Sequence, residues 1–284
     1  MTAWAFRRSP RGSLLGKVVA YAVLIFVSAF VLIPFLWMIS SALKPEYQIF
    51  IFPPKWLPQP IMWENFHKAL THLPFLTYFK NTMTIVVWTI IANTLSNAIV
   101  AYGFARLRGP GKDVLFILAL STMMLPGVVT MIPTFALFNK LGWVNTLKPL
   151  IVPFFFANAP TIFLLRQFFL TIPGDLEEAA KIDGANVLRI FWSIFLPLSK
   201  PALATIIIFR FLDAWNDFMG PLIYLNDQRF YTLALGINFF RGEHQIQWNL
   251  LMAASVTVML PCLLIFFVAQ KYFIEGIQLT GMKG

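Results

Sequence analysis

Long apolar runs limit this chain more than any other feature. The first extends from Val18 to about Ser40. At 1.5 Å per residue a helix of that length crosses a hydrocarbon layer about 30 Å thick. In hydrocarbon every backbone N–H and C=O must find its partner within the protein, as it does in a helix. The first run is also too long for a signal-peptide core and is followed by no convincing cleavage site, so we read it as a retained span. Further runs cover about 81–105, 114–138, 150–170, 201–224 and 250–273. The expected fold is an all-α membrane protein of six transmembrane helices forming one transmembrane domain over 1–284.

Charge supports that class. Only 12% of residues are charged and 58% are hydrophobic, against about 25% charged in soluble domains. The net charge of +10 does not point to nucleic acid, because the basic residues are scattered among the runs rather than gathered into a stripe. They fit the excess of Lys and Arg in cytoplasmic loops. With both termini inside, 13 of the 22 Lys and Arg fall on the cytoplasmic side, Arg7, Arg8, Arg11 and Lys17 among them. Eight fall outside, and Arg210 lies within a span. The Pro-rich stretch from Lys44 to about Lys80 then lies along the outer interface, with a short surface helix from Asn65 to about Leu73. Cys262 is the only cysteine, and His67, His72 and His244 are isolated, so neither a disulfide framework nor a metal site is expected.

One polar island interrupts the pattern, PGDLEEAAKIDGANVLRIFWSIFLPLSKP from Pro173 to Pro201. Asp175 with Glu178 three residues on resembles a capping box, with the carboxylates at the positive end of the dipole. A helix is predicted from Leu176 to about Asp183, ended by Gly184, which tolerates positive φ. Val187, Ile190, Phe191, Ile194 and Phe195 then form one apolar stripe of a second helix, closed by Pro197 and Pro201. The island, 173–200, is thus a helix–turn–helix between the fourth and fifth spans.

Glu178-Ala179-Ala180, Gly184 four residues later, and Leu196-Pro197 downstream resemble the EAA loop of bacterial ABC-importer inner-membrane permease subunits. The fuller string EEAAKIDGA, followed by LPLSKPAL, is similar to the carbohydrate-uptake, maltose-permease-like branch. So are AYGFARLRGPGK, MLPGVVTMIPTFALFNKLGWVNT and AWNDF. The resemblance implies a non-catalytic translocation-pathway subunit of an ATP-driven importer for a sugar or sugar-like solute. It implies a second, non-identical permease subunit, a cytoplasmic ATPase dimer and an external solute-binding protein as partners, in a bacterial-type inner membrane. ATP would bind the partner ATPase, this chain binding no cofactor itself. The loop over 225–248 resembles the one that meets the binding protein, and such a C-terminal tail can enter the ATPase dimer. The coupling residues would be Glu177, Glu178, Ala179, Ala180, Asp183, Gly184, Leu196 and Pro197, with Glu177 and Glu178 pairing with basic residues of the ATPase. The chain has no G-x-x-x-x-G-K-[ST] string of its own: Asp113 follows Gly111-Lys112 where Ser or Thr is required.

Polar residues within spans are candidates for a solute path. Thr82, Thr89, Asn93, Ser96 and Asn97 share roughly one face of the second span. They either hydrogen-bond between helices or line the path, and Asn93 and Asn97 are the residues to test. Leu125-Pro126-Gly127 and Pro133 break the third span, as a site, a hinge or a packing kink. In the fifth span Arg210, Asp213 and Asp217 lie on one face, with Asn216 beside Asp217. Arg210 falls near mid-bilayer, where a charge costs at least about 3 kcal/mol unless paired, and Asp213 is the expected partner. These residues serve as a gate, a substrate contact or a buried structural pair. A rival reading makes the chain an ion-coupled secondary carrier using the Arg210/Asp213/Asp217 face.

Overall fold

The computed structural model describes residues 14–241 and 246–281. Arg7, Arg8, Arg11 and His244 lie outside the described residues. All elements within them are helical. In chain order they are α1 (Leu14–Ala42), α2 (Glu64–His72), α3 (Phe75–Arg106), α4 (Lys112–Ser121), α5 (Gly127–Lys140) and α6 (Lys148–Ile151). There follow α7 (Ala159–Thr171), α8 (Asp175–Ile182), α9 (Val187–Ile190), α10 (Leu196–Leu198) and α11 (Lys200–Asn216). The last are α12 (Met219–Tyr224), α13 (Leu233–Gly236) and α14 (Trp248–Gly281).

Four helical stretches are long and apolar enough to cross a membrane: Gly16–Ala42, Phe75–Arg106, Lys148–Thr171 and Trp248–Gln270. Two bent pairs raise the number to six if each is one span: Lys112–Met124 with Gly127–Lys140, bent by 98°, and Val187–Leu198 with Lys200–Asn216, bent by 77°. This is a multi-pass membrane protein. Three of the expected spans differ in form, the fourth (150–170) by a break between Phe155 and Ala159. The 114–138 run is not one rod, because Leu125 and Pro126 adopt extended backbone between the two halves and turn the chain through a right angle. Pro133, by contrast, is absorbed inside α5. The 201–224 run stops at Asn216, where Asp217 leaves helical geometry (ψ 114°) before α12 restarts the chain.

The chain forms two compact units. One holds residues up to 69 with 240–257; the other holds 70–239 with the remainder of α14. In the first, the Pro-rich segment is an ordered loop. Asn65 ties its ends together, its Nδ2 donating to the carbonyls of Ala42 (2.9 Å) and Lys44 (2.8 Å), and Met62 N–H donates to Leu43 O at 2.8 Å. Trp37 packs edge-on against Trp56 at 5.2 Å, and the buried Lys44 ammonium lies 3.9 Å from the Trp37 ring centroid.

The second unit is built on α3. Its sequence supplies small buried residues (Ala92, Ala98, Ala101) that let α7 and α11 approach closely. Two aromatic clusters fill the spaces. One joins Tyr102, Phe169, Phe191 and Phe195; the other joins Tyr78, Phe211, Trp215 and Leu233. Trp215 stacks on Phe211 at 5.4 Å and donates its indole N–H to Val258 O at 3.1 Å. Gly236 meets the Tyr78 ring so closely that a Cβ there would overlap it.

Candidate functional site

The polar island folds as a short helix, a turn and a second, irregular helix. Helix α8 starts at Asp175, one residue earlier than expected. Gly174 already has helical φ and ψ, Asp175 occupies the first turn, and no side chain closes a capping box. The acidic residues Asp175, Glu177 and Glu178 still crowd the positive end of the dipole. At the other end Gly184 adopts φ 80°, and Ala185 N–H closes back on Ala180 O at 2.9 Å. Asn186, which sequence reading passed over, caps α9 by accepting from Arg189 N–H at 2.8 Å. Its Asx position before an apolar run was the available signal. From Phe191 to Phe195 the helix widens into a π turn. That widening keeps both Phe191 and Phe195 buried, as the apolar stripe requires, and leaves Trp192 exposed between them.

The inner face of the island is fixed to the spans. Phe195 lies 4.9 Å and Phe191 5.2 Å from the Tyr102 ring of α3, and Phe169 of α7 meets Phe195 at 5.7 Å. Arg106, at the end of α3, lies over Phe195 and donates to the carbonyls of Phe169 (2.7 Å) and Ile172, capping the end of α7. Glu177 also faces inward. It is buried and pairs with Lys181 at 2.8 Å, one helical turn on, so it is committed within α8. Glu178, Ala179, Asp183, Gly184 and Pro197 are exposed, while Ala180 and Leu196 are half-buried against the core. The outer face mixes these charges with large apolar side chains: Ile182 is 87% and Leu188 68% exposed, and Leu176 and Trp192 are exposed as well.

A second feature is a cavity of about 480 Å³ lined by α3, α7 and α11. The chain breaks there, in the middle of the fourth run, between Phe155 and Ala159. A break at that depth frees backbone groups that lipid cannot satisfy. The second-span asparagines supply the partners. Asn158 N–H donates to Asn97 Oδ1 at 2.8 Å, and Asn158 Nδ2 donates to Asn93 Oδ1 at 2.6 Å. Asn97 Nδ2 donates in turn to Asn93 O at 2.6 Å, and Asn158 Oδ1 caps α7 by accepting from Thr161 N–H at 3.1 Å. Asn97 is fully buried, whereas Asn93 also contributes to the cavity wall. Asn158 followed by Ala159-Pro160 carried the start signal of α7 in the sequence.

Arg210 and Asp213 both line this cavity, but they do not form the expected ion pair; among the described residues the ion pairs are those of Lys68, Lys181 and Arg229. The Arg210 guanidinium instead stacks 3.8 Å from the centroid of Phe154. A planar, weakly hydrated cation can be accommodated on a ring face without a carboxylate. Its Nε is buried and lacks a hydrogen-bond partner. Phe154 had no local sequence signal, because it reaches Arg210 only through the broken fourth run. Asn216 donates to Leu212 O at 2.8 Å, and Asp217 accepts from Gly220 N–H at 3.0 Å, which starts α12. Neither residue lines the cavity. Among the described residues no group of three His, Cys, Asp or Glu side chains could hold a metal ion.

The cavity lies where the fourth run is broken, and the island joins α7 to α11; comparison with known proteins gives the family. Residues 97–278 match the family described as "Binding-protein-dependent transport system inner membrane component". The chain is 35% identical over 256 residues to the probable ABC transporter permease protein YurM of Bacillus subtilis, covering 88% of this chain and 83% of the relative. It is 32% identical over 269 residues to the trehalose/maltose transport system permease protein MalG of Thermococcus litoralis, covering 92% and 94%. Its fold superposes with a TM-score of 0.82 and 25% identity on a chain of a bacterial ABC transporter involved in import of the acidic polysaccharide alginate, covering 93% of this chain and 100% of that one. The chain therefore belongs to the binding-protein-dependent inner membrane component family, the non-catalytic permease subunits of ABC transporters.

Proposed function

We propose that this chain is one translocation-pathway subunit of an importer for a sugar or sugar-like solute, working in a bacterial-type inner membrane. A second, non-identical permease subunit completes the path. An external solute-binding protein delivers the solute, and a cytoplasmic ATPase dimer, which binds the ATP, drives transport. Both termini and the island face the cytoplasm. The sugar relatives and the charge distribution support this reading.

The observation that carries it is the two-faced island. Its inner face is bonded to the ends of α3 and α7 through Arg106, Tyr102 and Phe195, while Ile182, Leu188 and Trp192 stand uncovered. Helix α8, at eight residues, is too short to persist alone. Docked in a groove of the ATPase it becomes a lever. Closure of the ATPase on nucleotide would tilt α3, α7 and α11 as a body and switch access to the cavity. Exposed Glu178 and Asp183 provide the charge contacts, with Gly184 as the turn. Solute would meet the cavity wall formed by Asn93, Arg210 and Asp213, whose polar groups suit a hydroxylated solute.

Mild-detergent purification of the tagged chain from its native membrane tests the assignment. An ATPase and a second permease should accompany it, and uptake by the reconstituted assembly should require ATP and the binding protein. Recovery of this chain alone, still moving solute down an ion gradient, would replace this reading with an ion-coupled carrier.

A further inference from the structure

We propose that the groove between the end of α3 and the start of α4 binds the headgroup of an anionic phospholipid. The groove has a volume of about 310 Å³. Val100, Phe104 and Leu115 form apolar walls, and Arg108 and Lys112 supply the charge at the tight turn that joins the two helices. Of the three basic residues in this turn, Arg106 is already spent on the carbonyls of Phe169 and Ile172. Arg108 is exposed and has no hydrogen bond or ion pair among the described residues. Lys112 is half-buried and donates to Leu107 O at 3.0 Å, which leaves two of its three N–H groups free. Asp113, next to Lys112 in the sequence, is not part of the lining.

The wall beyond the groove settles which anion fits. Val114, Ile117 and Leu118 on α4 are all more than half exposed. The pair Lys112–Met124 and Gly127–Lys140 is apolar enough to be one broken span, and on that reading this surface lies against acyl chains. The groove therefore offers cations at one end and a continuous apolar surface leading away from them. A phosphodiester headgroup with its chains along α4 satisfies both. Inorganic phosphate would use only the charged end, and a zwitterionic lipid gains little from two free cations. Basic grooves between membrane helices are general sites for acidic headgroups, and the argument holds whichever membrane face the turn occupies.

Native mass spectrometry of the assembled complex, stripped of lipid and titrated with phosphatidylglycerol, phosphatidylcholine or inorganic phosphate, tests this. Phosphatidylglycerol should be retained in preference to phosphatidylcholine, and inorganic phosphate should not displace it. Arg108→Ala and Lys112→Ala should each weaken retention about fivefold, and Arg108→Lys should restore most of it. Lys140→Ala, far along the chain on α5, should leave retention unchanged. Arg108→Ala is the deciding variant, since Arg108 makes no internal bond whose loss would disturb folding. Equal retention by Arg108→Ala and the native chain, equal binding of phosphatidylcholine, or displacement by inorganic phosphate would each overturn the proposal. So would lipid binding by the isolated chain that disappears on assembly, which would assign the groove to a protein partner.

Discussion

The backbone N–H of Asn158 donates to the side-chain carbonyl of Asn97, 61 residues earlier in the chain, at 2.8 Å. This bond makes the mid-membrane break before α7 affordable, because a freed N–H in hydrocarbon would otherwise go unmatched. Asn97 is fully buried, so its replacement strands Asn158 N–H and empties a side-chain volume together. Asn97→Ala should lower stability by about 1–3 kcal/mol, read as a fall in the thermal unfolding midpoint of the detergent-solubilised assembly. Asn93→Ala should also reduce uptake at a given stability, since Asn93 reaches the cavity as well. Unchanged uptake and midpoint in both variants would remove these amides from the account.

Charge exchange at Arg210 and Asp213 distinguishes ring stacking from ion pairing. The guanidinium lies on Phe154 and not against Asp213. The double variant Arg210→Asp/Asp213→Arg should therefore fail to recover the uptake lost in Arg210→Asp. Arg210→Lys should lose most of it too, because an ammonium lacks the planar face that stacks on the ring. Full uptake by the exchanged pair would reinstate an ion pair.

At Gly184 the φ of 80° is open only to residues that tolerate the left-handed region, although no neighbouring atom would touch an added Cβ. The cost of substitution is thus conformational, about 1–2 kcal/mol for an ordinary L-residue. Gly184→Val should preserve the spans yet redirect α8, so that ATP hydrolysis continues with solute uptake falling at least severalfold. Gly184→Asn, which accepts that backbone region more readily, should retain much more of the coupling. Coupling as tight in Gly184→Val as in the native chain would disconnect this turn from energy transfer.

Against Tyr78, Gly236 leaves no room for a methyl group. Tyr78 is buried and held by the surrounding cluster, so it has little freedom to withdraw. Gly236→Ala should destabilise the fold by about 1–3 kcal/mol through overpacking. Trimming the ring in Gly236→Ala/Tyr78→Leu should recover part of that loss in a thermal melt, whereas a single variant as stable as the native chain would show the ring to be movable.

Lys44 carries a buried ammonium on Trp37, and its burial holds the ammonium's pKa below the usual lysine value of 10.5. The unfolded chain thus binds this proton more tightly than the folded one. Below the folded pKa both states are charged and the full desolvation penalty is present. As pH rises from there toward 10.5 the penalty is relieved, so stability should increase with pH in that alkaline window. Lys44→Met should abolish that rise and be neutral or stabilising at pH 7. A melt showing the same alkaline dependence in Lys44→Met would assign the effect to another group.

The sequence by itself determined the membrane class, the approximate positions of the apolar runs and the island with its Gly184 turn. It did so because hydropathy over some 20 residues and the local chemistry of glycine need no knowledge of distant neighbours. The tertiary structure decided what happens inside those runs. Asp217 leaves the helix where its carboxylate accepts from Gly220 N–H. The π turn at 191–195 follows from placing Phe191 and Phe195 together against Tyr102. Arg210 finds Phe154 rather than its sequence neighbour Asp213, because the broken fourth run carries that ring alongside α11. Each is a contact between residues far apart in the chain, and helical periodicity contains no record of the partner on the other helix.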